Sequence, residues 1–143
     1  MAEPTLYLFD GWNVLHAGEW RRPEELIDAL ASFVALRGAR GILVFDGAGR
    51  DETLGPLRVR FAENADSLIE RLAAEHRARE VVAVVSSDFA IRGTTGQEVR
   101  STSSRIFLEE LEAAAHNEDT PRGLADRLDP VTRERLERLR RGL

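Results

Sequence analysis

The chain has no cysteine, which excludes disulfides and thiolate-bound zinc, since both need sulfur ligands. It has no lysine either, because all 20 basic residues are arginine. Arginine keeps its proton in proteins, so it replaces lysine as a charge but not as a nucleophile. That removes P-loop nucleotide hydrolysis, whose phosphate loop ends on a lysine. It also removes receiver-type phosphoacceptor domains, which pair an acidic pocket with a lysine. Histidine is scarce, with His16, His76 and His116 only, and no pair has zinc-binding spacing. No apolar run approaches the roughly 20 residues needed to cross a bilayer. The first residues, Met1-Ala2-Glu3-Pro4, carry neither a basic region nor a signal-peptide core. A cytoplasmic protein with no membrane partner is therefore expected. The net charge of −5 excludes a general polyanion binder.

What is present is a core large enough for one domain: 143 residues, 43% of them hydrophobic. Three short apolar runs each stop near an acid. Residues 6–9 lead to Asp10, residues 42–45 lead to Asp46, and residues 81–85 lead through Ser86 and Ser87 to Asp88. Continuous apolar runs of this length read as strands buried on both faces of a parallel sheet. Between them, helical spacing runs from Pro23 to Gly38, and a second helix starts at Asn64, which can cap it. Leu57, Val59 and Phe61 alternate with Arg58 and Arg60, which predicts a half-exposed strand at a sheet edge. Residues 97–102 form a weak strand, and Ser103 or Ser104 caps a helix carrying Ile106, Phe107, Leu108 and Leu111. Residues 117–128 read as an irregular link before a last helix that opens at Asp129-Pro130. The expectation is a three-layer α/β/α fold with a mainly parallel central sheet over residues 1–116, with 117–143 as a C-terminal link and helix belonging to it or loosely docked.

Right-handed crossovers make the first strand central, with the other two buried strands on its sides. Asp10, Asp46 and Asp88 then fall side by side at the carboxyl edge, where open parallel sheets bind ligands. Two bare carboxylates 4 Å apart repel by about 4 kcal/mol at an effective dielectric of 20. Such a cluster takes up protons or binds a cation, and oxygen donors suit Mg²⁺ or Mn²⁺. Asp66 lies in the first turn of its helix, favoured there by the helix dipole, and can deliver a further carboxylate. Glu70, four residues on, reads as a surface or outer acid. Asn13 lies one short turn past Asp10, and Ser86 and Ser87 can hydrogen-bond a neighbouring acid or a water. Arg92, Arg100 and Arg105 flank segments rich in Gly, Ser and Thr, and Arg50, Arg58 and Arg60 extend the basic track. Arginines and hydroxyls beside acids suit a phosphodiester backbone. Trp12 can serve as a base-stacking platform or as a core or lid residue. Each of these residues also has a plain structural use as a turn, a cap or a solvated surface.

Taken in order, the motifs resemble a known family. Leu8-Phe9-Asp10-Gly11-Trp12-Asn13-Val14-Leu15-His16-Ala17 resembles the opening of YacP-like NYN domains, whose usual form is Asp-Gly-Tyr-Asn-Val-Ile. Val44-Phe45-Asp46-Gly47 matches the second motif. Asn64-Ala65-Asp66-Ser67-Leu68-Ile69-Glu70 is similar to the third, and Ser86-Ser87-Asp88 matches the fourth. Residues 103–108 resemble the Ser-x-x-x-Phe segment that follows. The chain departs in having Trp12 for the tyrosine and Asn64 for a threonine, and every acid is kept. The resemblance implies a PIN-like (NYN) fold and metal-dependent endonucleolytic cleavage of single-stranded RNA, with messenger RNA at the ribosome as the target of at least one branch. It also implies one or two Mg²⁺ or Mn²⁺ ions held by Asp10, Asp66 and Asp88, with Asp46 bound directly or through water. Asn13 would position water or phosphate, and RNA contacts would fall to Trp12, Arg50, Arg60, Ser87, Arg92, Arg100 and Arg105. The alternative is a metal-stabilised RNA- or ribosome-binding module without turnover.

Overall fold

The computed structural model describes residues 3–87 and 99–119, with the backbone alone for 115–119. Among the described residues the elements run β1 (Leu6–Asp10), α1 (Gly11–Ala17), α2 (Pro23–Leu36), β2 (Arg40–Asp46), β3 (Glu52–Leu54), β4 (Leu57–Ala62), α3 (Ala65–His76), β5 (Val82–Val85), β6 (Val99–Thr102) and α4 (Ser104–Asp119). The sheet order is β3-β4-β2-β1-β5-β6. Every pairing is parallel except β3 with β4. The central position of β1 between β2 and β5 is the one that right-handed crossovers require.

Strand alternation divides the core into two layers. Tyr7, Phe9, Leu43, Phe45, Ala83 and Val85 pack with Val14 of α1, with Leu26, Leu30, Phe33 and Val34 of α2, and with Phe107 of α4. Leu6, Leu8, Ile42, Val44, Val82 and Val84 face the other way, onto Leu68, Ile69, Leu72 and Ala73 of α3. The α2 stripe follows a helical period behind Pro23, with Glu24 and Glu25 in the first turn, where the helix dipole favours acids. Phe107 joins the layers of the first core: its ring centroid is 5.2 Å from Phe9 and 5.0 Å from Phe33. Removing so buried a ring costs about 3–5 kcal/mol. Arg37 adds a second tie, since it pairs with Glu110 of α4 at 2.8 Å and lies over the Phe33 ring.

At the amino edge of the sheet Glu80 gathers several elements. It accepts from Thr5 Oγ1 at 2.9 Å, pairs with Arg40, and lies 3.2 Å from His76 Nδ1. His76 is thus a partnered structural residue, and the opposite, carboxyl edge is left for the site.

The structure departs from the sequence reading at four places. The residues after Asp10 form helix α1 and not a turn. Glu52–Leu54, to which the sequence reading assigned no element, forms β3. That strand covers β4, so β4 is not the edge strand its alternation suggested. Helix α4 runs to Asp119, past the expected start of the link at Asn117. The rest of that link and the last helix lie outside the described residues. No helix of the described residues is long and apolar enough to cross a membrane.

Candidate active site

Parity places the acids before any side-chain contact is considered. Leu6 and Leu8 face α3, so Asp10 at the end of β1 continues on that face. By the same count Asp46 follows Ile42 and Val44, and Ser86 follows Val82 and Val84. Asp10 is half-buried. Ser86 is fully buried, and its hydroxyl donates to Asp10 Oδ2 at 3.1 Å. A buried hydroxyl needs such a partner. Here the bond also fixes the carboxylate at the end of the central strand.

Asp46 is not beside Asp10 as expected. The register pairs Asp10 with Val44, so Asp46 stands two residues further along β2. Strand spacing and rise put the two Cα atoms about 8 Å apart. The Asp46 carboxylate has a different use, because its Oδ1 accepts the backbone N–H of Ala65 at 2.7 Å. A carboxylate on the first amides of a helix is a charge-assisted cap, favoured by the helix dipole. Asn64 completes the cap by accepting from the Ser67 N–H at 3.0 Å. Together they fasten the start of α3 to the end of β2. Asp66, half-buried in the first turn, is thereby carried to the same edge and the same face as Asp10. Asp88 lies outside the described residues.

Among the described residues no three of His, Cys, Asp and Glu form a group that could hold a metal ion. A closed protein cage is therefore not made by Asp10, Asp46 and Asp66. Magnesium seldom uses one; it binds through one or two carboxylates and keeps waters and substrate phosphate oxygens. Asp10 and Asp66, hard oxygen donors on one face, fit that chemistry.

Asn13 on α1 joins three elements. Its Oδ1 accepts the Ser87 N–H at 2.8 Å and the Ser104 hydroxyl. Ser87 Oγ in turn accepts the Ser104 N–H at 3.3 Å. Two donors on Oδ1 fix the orientation of the amide and leave Nδ2 as its donor end. Ser104 is fully buried, and sequence reasoning saw it only as a possible helix cap. The cap is Ser103, whose Oγ accepts from the Ile106 N–H at 3.1 Å. In a Ser-Ser pair only one residue caps, but nothing local shows that the other reaches Asn13.

Gly11 is required by close approach and not by an unusual backbone angle. A Cβ there would stand 2.4 Å from Cδ1 of Phe45. Phe45 is the ring that supports Trp12, with centroids 4.8 Å apart.

The arginines divide. Arg105, in the first turn of α4, and Arg50, in the loop after β2, are exposed at the carboxyl edge. Arg60 is half-buried, pairs in register with Val44 on the α3 face, and has its Nε 3.9 Å from Asp51 Oδ2. Arg100 pairs with Ala83 in mid-sheet, three residues short of the Ser86 level, on the face away from α3. Its Cα therefore sits back from the strand ends that carry Asp10 and Ser86. Arg92 lies outside the described residues.

A mainly parallel three-layer sheet with acids at the end of the central strand and in the first turn of the following helix defines a PIN-like α/β domain. Residues 7–141 match the YacP-like NYN domain, and the chain belongs to that family. It is similar to the crystal structure of Rae1 (YacP) from Bacillus subtilis, with 27% identity, a TM-score of 0.65, and coverage of 96% of this chain and 95% of that one. It is also similar to a tryptophan-to-leucine mutant of Rae1, at 24% identity and a TM-score of 0.65, covering 92% of this chain and 97% of that one. Among curated proteins none matches. NYN domains are generally nucleases, and the YacP-like branch points to RNA.

Proposed function

We propose that the chain is a metal-dependent endoribonuclease that hydrolyses single-stranded RNA at the carboxyl edge, between Asp10 and Asp66. The observation that carries this reading is the hydrogen bond from buried Ser86 to Asp10, which preorganises one carboxylate beside the helix start that carries Asp66. A Mg²⁺ or Mn²⁺ ion bound there supplies a lowered water pKa and offsets charge on the scissile phosphate. The ion's donors are Asp10 and Asp66, joined by Asp88. Asp46 acts one step further out by holding the start of α3. Asn13 orients water or phosphate with its Nδ2, and Arg50 and Arg105 hold the flanking backbone. The net charge of −5 implies weak affinity for free RNA. The resemblance to YacP-like NYN domains, of which at least one branch acts on messenger RNA at the ribosome, is what suggests messenger RNA presented by the ribosome as the substrate. Weak affinity for free RNA is compatible with it.

The test is cleavage of end-labelled single-stranded RNA, free and on translating ribosomes, with Mg²⁺ or Mn²⁺ and with EDTA, using wild type and Asp66→Asn. Metal-dependent cutting lost in the variant supports the reading. Cutting that persists in EDTA refutes it. The second reading is a metal-stabilised RNA- or ribosome-binding module without turnover. That module retains RNA equally well in both forms and never cuts it.

A further inference from the structure

Trp12 is the second residue of α1 and is 37% exposed. An exposed indole ordinarily has freedom to turn, but this one is held from three sides. Its Nε1–H donates to the backbone oxygen of Asp46 at 2.8 Å. Its ring stands edge-on to Phe45 at 4.8 Å with an interplanar angle of 63°. His16, one helical turn on and also exposed, lies with its ring 6.1 Å away and only 25° from parallel. The polar atom of Trp12 is thus satisfied inside the protein, and what faces solvent is apolar ring. Phe45 is buried against Gly11, where even a methyl group would clash, so the support under the indole cannot retreat.

A rigid, near-parallel pair of aromatic rings suits a flat, unpaired π-system. From these contacts we infer that Trp12 and His16 form a stacking site for a single unpaired nucleobase of the RNA strand whose phosphate lies at Asp10. The inference rests on the nucleic-acid reading above and adds what that reading lacks, a group that touches the base. Stacking is sequence-tolerant because every base has a π-face. In a duplex that face is already covered, so the site selects single strands without reading their sequence. The attachment of the indole to Asp46 also ties the stacked base to the strand end that anchors α3.

The experiment is filter binding of labelled single-stranded RNA in EDTA, which reads binding apart from cleavage. A single abasic residue is moved through the oligonucleotide one position at a time. Wild type should show one position at which base loss weakens binding about 5- to 150-fold, the range for one stacked base. In Trp12→Ala and His16→Ala that position-dependent loss should shrink or vanish, while Trp12→Phe, which keeps a ring against Phe45, should retain most of it. His16 is exposed and the abasic change is made in the RNA, so folding does not confuse the result. Protein is titrated to its highest soluble concentration, because free RNA is expected to bind weakly. Equal binding at every abasic position, an undiminished loss in both alanine variants, or no wild-type binding even at that concentration overturns the inference. A failed metal-cleavage assay with the abasic pattern intact removes the nuclease reading and leaves the stacking site. Normal cleavage with a flat abasic pattern does the reverse.

Discussion

Asp46 Oδ1 accepts the backbone N–H of Ala65 at 2.7 Å, so the second strand-end acid is spent on the start of α3. This makes Asp46 a positioning residue for Asp66. Asp46→Ala should destabilise the fold by about 0.5–2 kcal/mol, the usual range for a lost cap. Asp46→Asn keeps an acceptor and should recover most of that loss. Cleavage should fall less in Asp46→Asn than in Asp66→Asn. Thermal melts beside cleavage rates check the ordering.

Ser86 acts through Asp10. Ser86→Ala leaves the carboxylate without its buried donor and should lower cleavage about 10- to 100-fold, the usual effect of losing a partner that orients a metal ligand. The melting temperature should change little, since the cavity is one hydroxyl. An unchanged rate would show that Asp10 needs no support from this bond.

Asn13 and Ser104 should be energetically coupled, because the buried Ser104 hydroxyl donates to Asn13. Asn13→Ala strands that hydroxyl and should cost about 1–3 kcal/mol. Ser104→Ala removes the hydroxyl itself and should cost less. A double-mutant cycle by denaturant unfolding should give a coupling of about 0.5–3 kcal/mol. Additive losses would mean that the three-element junction is not a unit.

Tyr7 sets an alkaline limit. Burial raises the pKa of its phenol above the ordinary 10.0, with Arg37 opposing the rise. The neutral form is favoured in the folded state, so the folded protein binds the proton more tightly than the unfolded chain. The contribution is fully present below about pH 10 and is lost as pH rises through the raised value. Tyr7→Phe should remove this part of the alkaline loss, as read from unfolding free energies on either side of pH 10.

The legible parts of the fold are those set by burial on both faces. β1, β2 and β5 appear as unbroken apolar runs because helices cover both sides, and the handedness of their crossovers then fixes the order. β3 was invisible because Glu52, Thr53 and Leu54 are all exposed; it exists because β4 offers an edge to pair with. β4 read as an edge because Arg58 and Arg60 interrupt its apolar side, whereas pairing is decided by a neighbour its own sequence does not describe. α1 is short, and its opening Asp-Gly has turn chemistry. At the site, Asp10 could be read from where its strand stops. The stagger that sets Asp46 beyond it could not, because the register between parallel strands is written in neither strand alone. The Ser86–Asp10 bond was among the partners foreseen for Ser86, whereas the Ser104–Asn13 bond spans 91 positions and left no local signal. Asp88 and Arg92 lie outside the described residues and keep the standing the sequence gives them.

The most direct test of the account is the cleavage rate of end-labelled single-stranded RNA by wild type and Asp10→Asn, with Mn²⁺, alongside thermal melts of both proteins. The account predicts loss of cleavage to background in the variant with a fold that still melts cooperatively. Wild-type cleavage by a folded Asp10→Asn protein would contradict it.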